Sequence, residues 1–111
     1  MIPIEYFVLL SAVFFIVGGV GFLVRRNVLV NLMSIEVMLN AANLALVAFN
    51  RARVAPGRGQ AYAGHSHTGQ VFAFFIIAAE AAEVAVGLAI VLALYRLRRT
   101  VRSDEADLLR N

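Results

Sequence analysis

The chain has 111 residues, 61% of them hydrophobic and only 15% charged, with no Cys, no Trp and a formal net charge of +3. A water-soluble domain this small needs far more polar surface to cover its core, and without Cys the chain holds no disulfide, thiolate zinc site or iron–sulfur cluster. The arginines that make it basic stand at the ends of apolar stretches, which fits a membrane interface and argues against a nucleic-acid surface.

Between Glu5 and Arg25 lie 19 uncharged residues, Tyr6 to Val24, enough to cross a bilayer. The opening Met1-Ile-Pro-Ile-Glu5-Tyr6 lacks the basic segment of a secretory signal, so this first span, residues 4–24, is expected to be retained. Gly18, Gly19 and Gly21 with Ser11 predict a closely packed face. They are not a phosphate loop, because no Lys-Ser/Thr follows and no strand precedes.

Arg25 and Arg26 form the first turn. The next 24 residues, up to Arg51, contain one charge, Glu36, and predict a second span over 28–49. Glu36, Asn40 and Asn43 recur at i, i+4 and i+7, which places them in one polar stripe, with Met33 on that face and Asn31 roughly opposite. The asparagines suit two roles, bonding to a neighbouring helix or orienting waters. A carboxylate is too costly in lipid to serve as mere glue, so Glu36 reads as functional.

The loop over 51–69 is rich in Gly, Arg and small residues and carries a turn signal at Pro56-Gly57. His65 and His67 make half a metal site with no third ligand, so no metal is expected.

The run from Thr68 to Tyr95 carries only Glu80 and Glu83 and predicts a third span over 70–95. These acids are three residues apart, share a face with Gly87, and sit among small residues from Ala78 to Gly87 that let other helices approach. Two acids on one face in a low dielectric do not comfortably both ionise, so they are expected to titrate as a unit, as a proton relay requires. Glu83 falls near the middle of its span and Glu36 about 4 Å to one side of the middle of its own. Acids at such similar depth can exchange protons through waters if their faces meet.

The tail, 96–111, mixes five arginines with Asp104, Glu105 and Asp107 and reads as a short, fraying helical extension. The tail and first turn together hold seven arginines (Arg25, Arg26, Arg96, Arg98, Arg99, Arg102 and Arg110), against three in the second loop (Arg51, Arg53 and Arg58). By the positive-inside rule the amino terminus lies outside and the carboxyl terminus in the cytoplasm, with Tyr6 and Tyr95 placed as interfacial anchors. The reading is an all-α integral membrane protein, residues 1–111 forming one domain of three transmembrane helices.

Several of these stretches resemble one family. They are the opening Met1-Ile-Pro, Gly18-Gly-Val-Gly-Phe-Leu-Val-Arg-Arg26 with Asn27, Ser34-Ile-Glu36-Val-Met-Leu-Asn40-Ala-Ala-Asn43-Leu, Gly69-Gln-Val-Phe72, and Ala81-Ala-Glu83-Val-Ala-Val-Gly87-Leu-Ala89. Over nearly the whole chain the pattern is similar to the K subunit of bacterial proton-pumping NADH–quinone oxidoreductase, respiratory complex I, the counterpart of the mitochondrial 4L subunit. The resemblance implies a multi-pass subunit of the bacterial inner (plasma) membrane. It would lie between the quinone-site and antiporter-like subunits and would not be catalytic alone. In that family the acids matching Glu36 and Glu83 lie on the central polar axis, where they carry protons or pass the effect of quinone reduction to the pumping modules. Asn40 and Asn43 would support them, and Arg25-Arg26 would anchor the cytoplasmic turn. No cofactor is expected on this chain; the whole complex would use NADH, flavin, iron–sulfur clusters and quinone. Its partners would be other complex I subunits and the lipid bilayer, with no nucleic acid.

Two features depart from the family. The second loop is longer than expected, and Glu80 stands where a small residue such as Ala is usual. Glu80 is therefore a third relay candidate or an acid bonded to a neighbour. Among competing readings, the related subunit of multisubunit sodium/proton antiporters lacks an acid at the Glu83 position, a small drug exporter has four spans, and a proton-rotor subunit has two. A structural membrane adaptor gives no reason for three intramembrane carboxylates.

Overall fold

The computed structural model describes residues 2–53, 67–99 and 101–103. The expected turn at Pro56-Gly57, Arg58, His65, and the stretch with Asp104, Glu105, Asp107 and Arg110 lie outside the described residues. Three helices form, α1 (Ile4–Val24), α2 (Val28–Arg53) and α3 (Thr68–Arg98), each long and apolar enough to cross a membrane. Both α2 and α3 run past the expected spans. Their last turns carry Arg51 and Arg53, and Arg96 and Arg98, cations that complement the negative end of a helix dipole. At 1.5 Å per residue α3 is about 45 Å long, more than a hydrocarbon layer of roughly 30 Å, so its ends reach the interface.

The bundle is inside out relative to a soluble protein. Its buried apolar residues are small, Ala41, Ala48, Ala73 and Val91, whereas Leu23 and Phe74 are 82% and 72% exposed. α1 and α3 each pack on α2 and scarcely on each other, which makes α2 the middle helix.

The reason lies in two stripes on α2, each with a spacing of seven. Ser34, Ala41 and Ala48 are buried against α1, which answers with Ser11 and Gly18, also seven apart. Ser11 Oγ donates to Ala41 O at 2.5 Å. A Cβ on Gly18 would stand 2.6 Å from Met38 Cγ and 2.9 Å from Ser34 O, so only glycine permits this approach. Gly21 is similar, its missing Cβ lying 2.9 Å from Ser34 Oγ. Seven-residue repeats of small residues are the signature of helices packed by close backbone contact.

The first turn is tied at both ends. Arg25 N donates to Gly21 O, and Asn27 Oδ1 accepts from Leu29 N at 2.9 Å, capping α2. The helical extension expected of the tail is short. It prolongs α3 only as far as Arg98, because Arg99 adopts a left-handed conformation (φ 54°) and ends the helix. The chain then turns back, so that Val28 N donates to Val101 O at 2.7 Å, Ser103 N donates to Arg26 O at 2.8 Å, and Asn27 and Arg102 form an antiparallel bridge. These pairings satisfy backbone groups of the first turn that helix geometry leaves open.

Gly18→Ala is expected to weaken the α1–α2 contact by about 1–3 kcal/mol, as overpacking does. Gly19→Ala, where a Cβ meets nothing within 4 Å, is expected to be silent. Thermal unfolding of the two variants in detergent checks the pair.

Candidate functional site

The second stripe of α2 faces α3 and is polar: Glu36, Asn43 and Asn50, again seven apart. Three contacts fix the register. Asn50 Oδ1 accepts from Gly69 N at 3.1 Å, Asn43 Nδ2 donates to Glu80 Oε1 at 3.2 Å, and Leu32 Cδ1 lies 2.8 Å from where a Cβ on Gly87 would be. The two helices therefore run antiparallel. Glu36, one turn from Leu32, falls level with Glu83, one turn from Gly87.

Each acid has a distinct environment. Glu80 is buried in the α2–α3 interface, 4% exposed, beside Asn43 at 7%. Glu83 is only about 4.5 Å further along the helix axis but rotated by roughly 60°, since a turn holds 3.6 residues. That rotation moves it out of the interface, and it is exposed on this chain. Glu36 is half-buried. Glu36 and Glu83 both lie within electrostatic reach of Glu80.

The expected stripe of Glu36, Asn40 and Asn43 is thus divided. Asn43 faces α3, whereas Asn40 is exposed and donates through Nδ2 to the Glu36 backbone O of its own helix at 2.9 Å. Likewise Glu80 and Glu83 do not share one environment, although they share a helix flank. Met33 is 65% exposed on the same side of the bundle as Asn40. The Asn31 side-chain amide lies beside the Arg25 and Phe22 carbonyls at the end of α1, where only its NH2 group is suited to bond with them. Asn50 was not singled out by the sequence reading; the seven-residue interval from Glu36 through Asn43 is the signal that finds it.

At the mouth of α3, His67 Nδ1 and Gln70 Oε1 are 2.6 Å apart. At the same end of the bundle the Arg51 guanidinium lies over the Phe7 ring, 5.8 Å from its centroid. Arg25 and Arg26 stand at the opposite end, exposed, with the Arg26 carbonyl held by the tail.

No Lys or Arg occurs between Arg26 and Arg51, or between His67 and Arg96. The chain supplies no cation to balance the three acids at membrane depth. An ionised carboxylate at membrane depth is costly unless a cation stands beside it. Among the described residues no three His, Asp or Glu side chains have metal-binding spacing, these acids included. What the arrangement offers is proton chemistry: three carboxyl groups within about one helical turn of height, on two adjacent helices, one of them open to a neighbour.

Comparison with known proteins agrees with this picture. Residues 6–111 match the family described as NADH-ubiquinone/plastoquinone oxidoreductase chain 4L. A protein of Sorangium cellulosum named NADH-quinone oxidoreductase subunit K is 61% identical over 110 residues, covering 99% of this chain and 97% of that one. Proteins of the same name from Roseiflexus castenholzii and Acidobacterium capsulatum are 47% and 44% identical, each over 99% of both chains.

Asn50→Ala removes the acceptor for Gly69 N, one of the open donors at the start of α3. It is expected to cost about 1 kcal/mol and to raise amide hydrogen exchange over the first turn of α3 while leaving the α1–α2 contact protected.

Proposed function

Because the chain belongs to the chain 4L family of NADH–quinone oxidoreductase, the bacterial subunit K, we propose that it contributes Glu36 and Glu83 as proton carriers on the path coupling quinone reduction to pumping. The observation that carries this reading is the common level of the two acids on adjacent helices, with no cation from the chain between them. A carboxyl that can gain and lose a proton beside another at the same depth is what lateral transfer needs, waters bridging the remaining distance.

Glu83 is turned away from α2, and an exposed acid is not stable against lipid tails. A helix of another complex I subunit covering this flank, from the quinone-site or antiporter-like side, would give the proton its next partner. Asn40, Met33 and the open side of Glu36 lie on the same edge and would join that contact. Asn43 supports the interface from within.

On this reading the subunit performs no redox step. NADH, flavin, iron–sulfur clusters and quinone react elsewhere in the complex, and this chain moves only protons or passes a change in protonation onward. The complex lies in the bacterial inner membrane, with the amino terminus outside and the arginine-rich first turn and tail in the cytoplasm. Clustering of Arg25, Arg26, Arg96, Arg98, Arg99 and Arg102 at one end of the bundle supports that orientation. Arg25 and Arg26 anchor the cytoplasmic turn.

NADH-driven proton uptake in inverted membrane vesicles tests the assignment. Glu83→Gln keeps the size and removes the titration. In an assembled complex it is expected to lower quinone reduction and pumping together by about a hundredfold, the low end of what a positioned acid–base group contributes. Glu36→Gln is expected to act in the same direction. Normal pumping by an assembled Glu83→Gln complex would refute the role of Glu83.

A further inference from the structure

The acid that neither role uses is Glu80, the most deeply buried of the three. We propose that Asn43 and Glu80 form a neutral amide–carboxylic acid pair that ties α3 to α2 and keeps Glu80 uncharged, leaving Glu36 and Glu83 to exchange protons. The last clause rests on the proton-carrier reading above; the pair itself does not.

The argument starts from what each group can donate and accept. A primary amide has two N–H donors and one acceptor oxygen, whereas a carboxylate only accepts and a carboxylic acid has one O–H. Asn43 Nδ2 already donates to Glu80 Oε1 at 3.2 Å. Asn43 Oδ1 is buried and has no donor among the described residues. An ionised Glu80 would leave that oxygen without a partner beside a buried negative charge. One proton on Glu80 Oε2 removes both penalties. It abolishes the charge and supplies an O–H that can turn to Asn43 Oδ1, closing a ring of two hydrogen bonds between amide and acid. Asn43 is thus complementary to the neutral form and mismatched to the ion.

The surroundings act in the same sense. Among the described residues the other titratable groups near this pair are Glu36 on α2 and Glu83 on α3 itself, both acids. α1 scarcely touches α3 and adds no charge there. Among the described residues no cation stands beside the pair to offset a charge on Glu80, and an unbalanced buried charge is costly. Releasing that proton would break the ring and free Asn43 Oδ1 again, so Glu80 is poorly suited to cycle in turnover. Glu83, one turn away and outside the interface, carries no such partner among the described residues.

The test uses the assembled complex in membrane vesicles. Glu80→Gln places an amide where the neutral acid stood: its carbonyl accepts from Asn43 Nδ2 and its NH2 donates to Asn43 Oδ1. This variant is expected to assemble and to pump within about twofold of wild type across the working pH range. The infrared difference between wild type and Glu80→Gln is expected to contain the C=O stretch of a protonated carboxylic acid, unchanged across that range. In Asn43→Ala the band should shift, and it should begin to titrate. An assembled Glu80→Gln complex that loses pumping tenfold or more would overturn the proposal, because Glu80 would then have to change charge during turnover. So would a carboxylate band in place of the acid band. Failure of Glu80→Gln to assemble would count against it too, since glutamine reproduces both bonds of the neutral pair. The infrared band reads Glu80 directly, so a normally pumping Glu83→Gln complex would sink the relay assignment without touching this one.

Discussion

Lipid tails surround a leucine about as comfortably as a protein interior does, so three apolar helices gain little by burying large side chains against one another. What remains to hold them together is close backbone approach and hydrogen bonding, and α2 divides these between its two sides. Towards α1 it presents Ser34, Ala41 and Ala48, which let Gly18 come against the Ser34 backbone and Gly21 against the Ser34 hydroxyl. Towards α3 it presents Glu36, Asn43 and Asn50, which bond or face polar and small residues. The large apolar side chains are left for the lipid and for neighbouring subunits. α2 must occupy the middle because it alone has two such faces.

The same division decides where acids can sit. Within the interface a carboxyl has to be neutral or bonded, and Glu80 meets Asn43 there. At the edge a carboxyl is exposed on the isolated chain, which is acceptable only if another subunit completes its surroundings. Glu83 and the open side of Glu36 are in that position. A bundle with unfinished polar edges is suited to work as one part of a larger membrane assembly, in keeping with its membership of the subunit K family. On the proposed reading, the proton-carrying positions and the assembly contacts share one edge.

Much of this is legible in the order of residues. Charges spaced by about twenty apolar residues mark three helices, and three acids inside those stretches mark the candidate site. The rotational phase of one helix against another is less accessible, because a single sequence gives the faces of each helix but not which faces meet. Glu80 and Glu83 look equivalent on a helical wheel, yet 60° of rotation separates a buried acid from an exposed one. Asn40 and Asn43 likewise look like one stripe, but Asn40 bonds back onto its own helix. The paired seven-residue intervals 34–41–48 and 36–43–50 contain the information that α2 is shared by two partners, and they become readable once both are followed at once. The end of α3 is hidden for a different reason. Arginines are good helix formers and no Gly or Pro follows Tyr95, so nothing local announces that Arg99 will take the left-handed conformation usually left to glycine.

That reversal after Arg99 has a practical consequence for labelling. Ser103 lies against Arg26, beside the α1–α2 connection, and not on the axis of α3. A reporter group attached at Ser103 itself would sit above the first turn and not at the end of α3. A label placed there reports on the neighbourhood of α1 and α2. One meant to follow α3 has to be attached before Arg99.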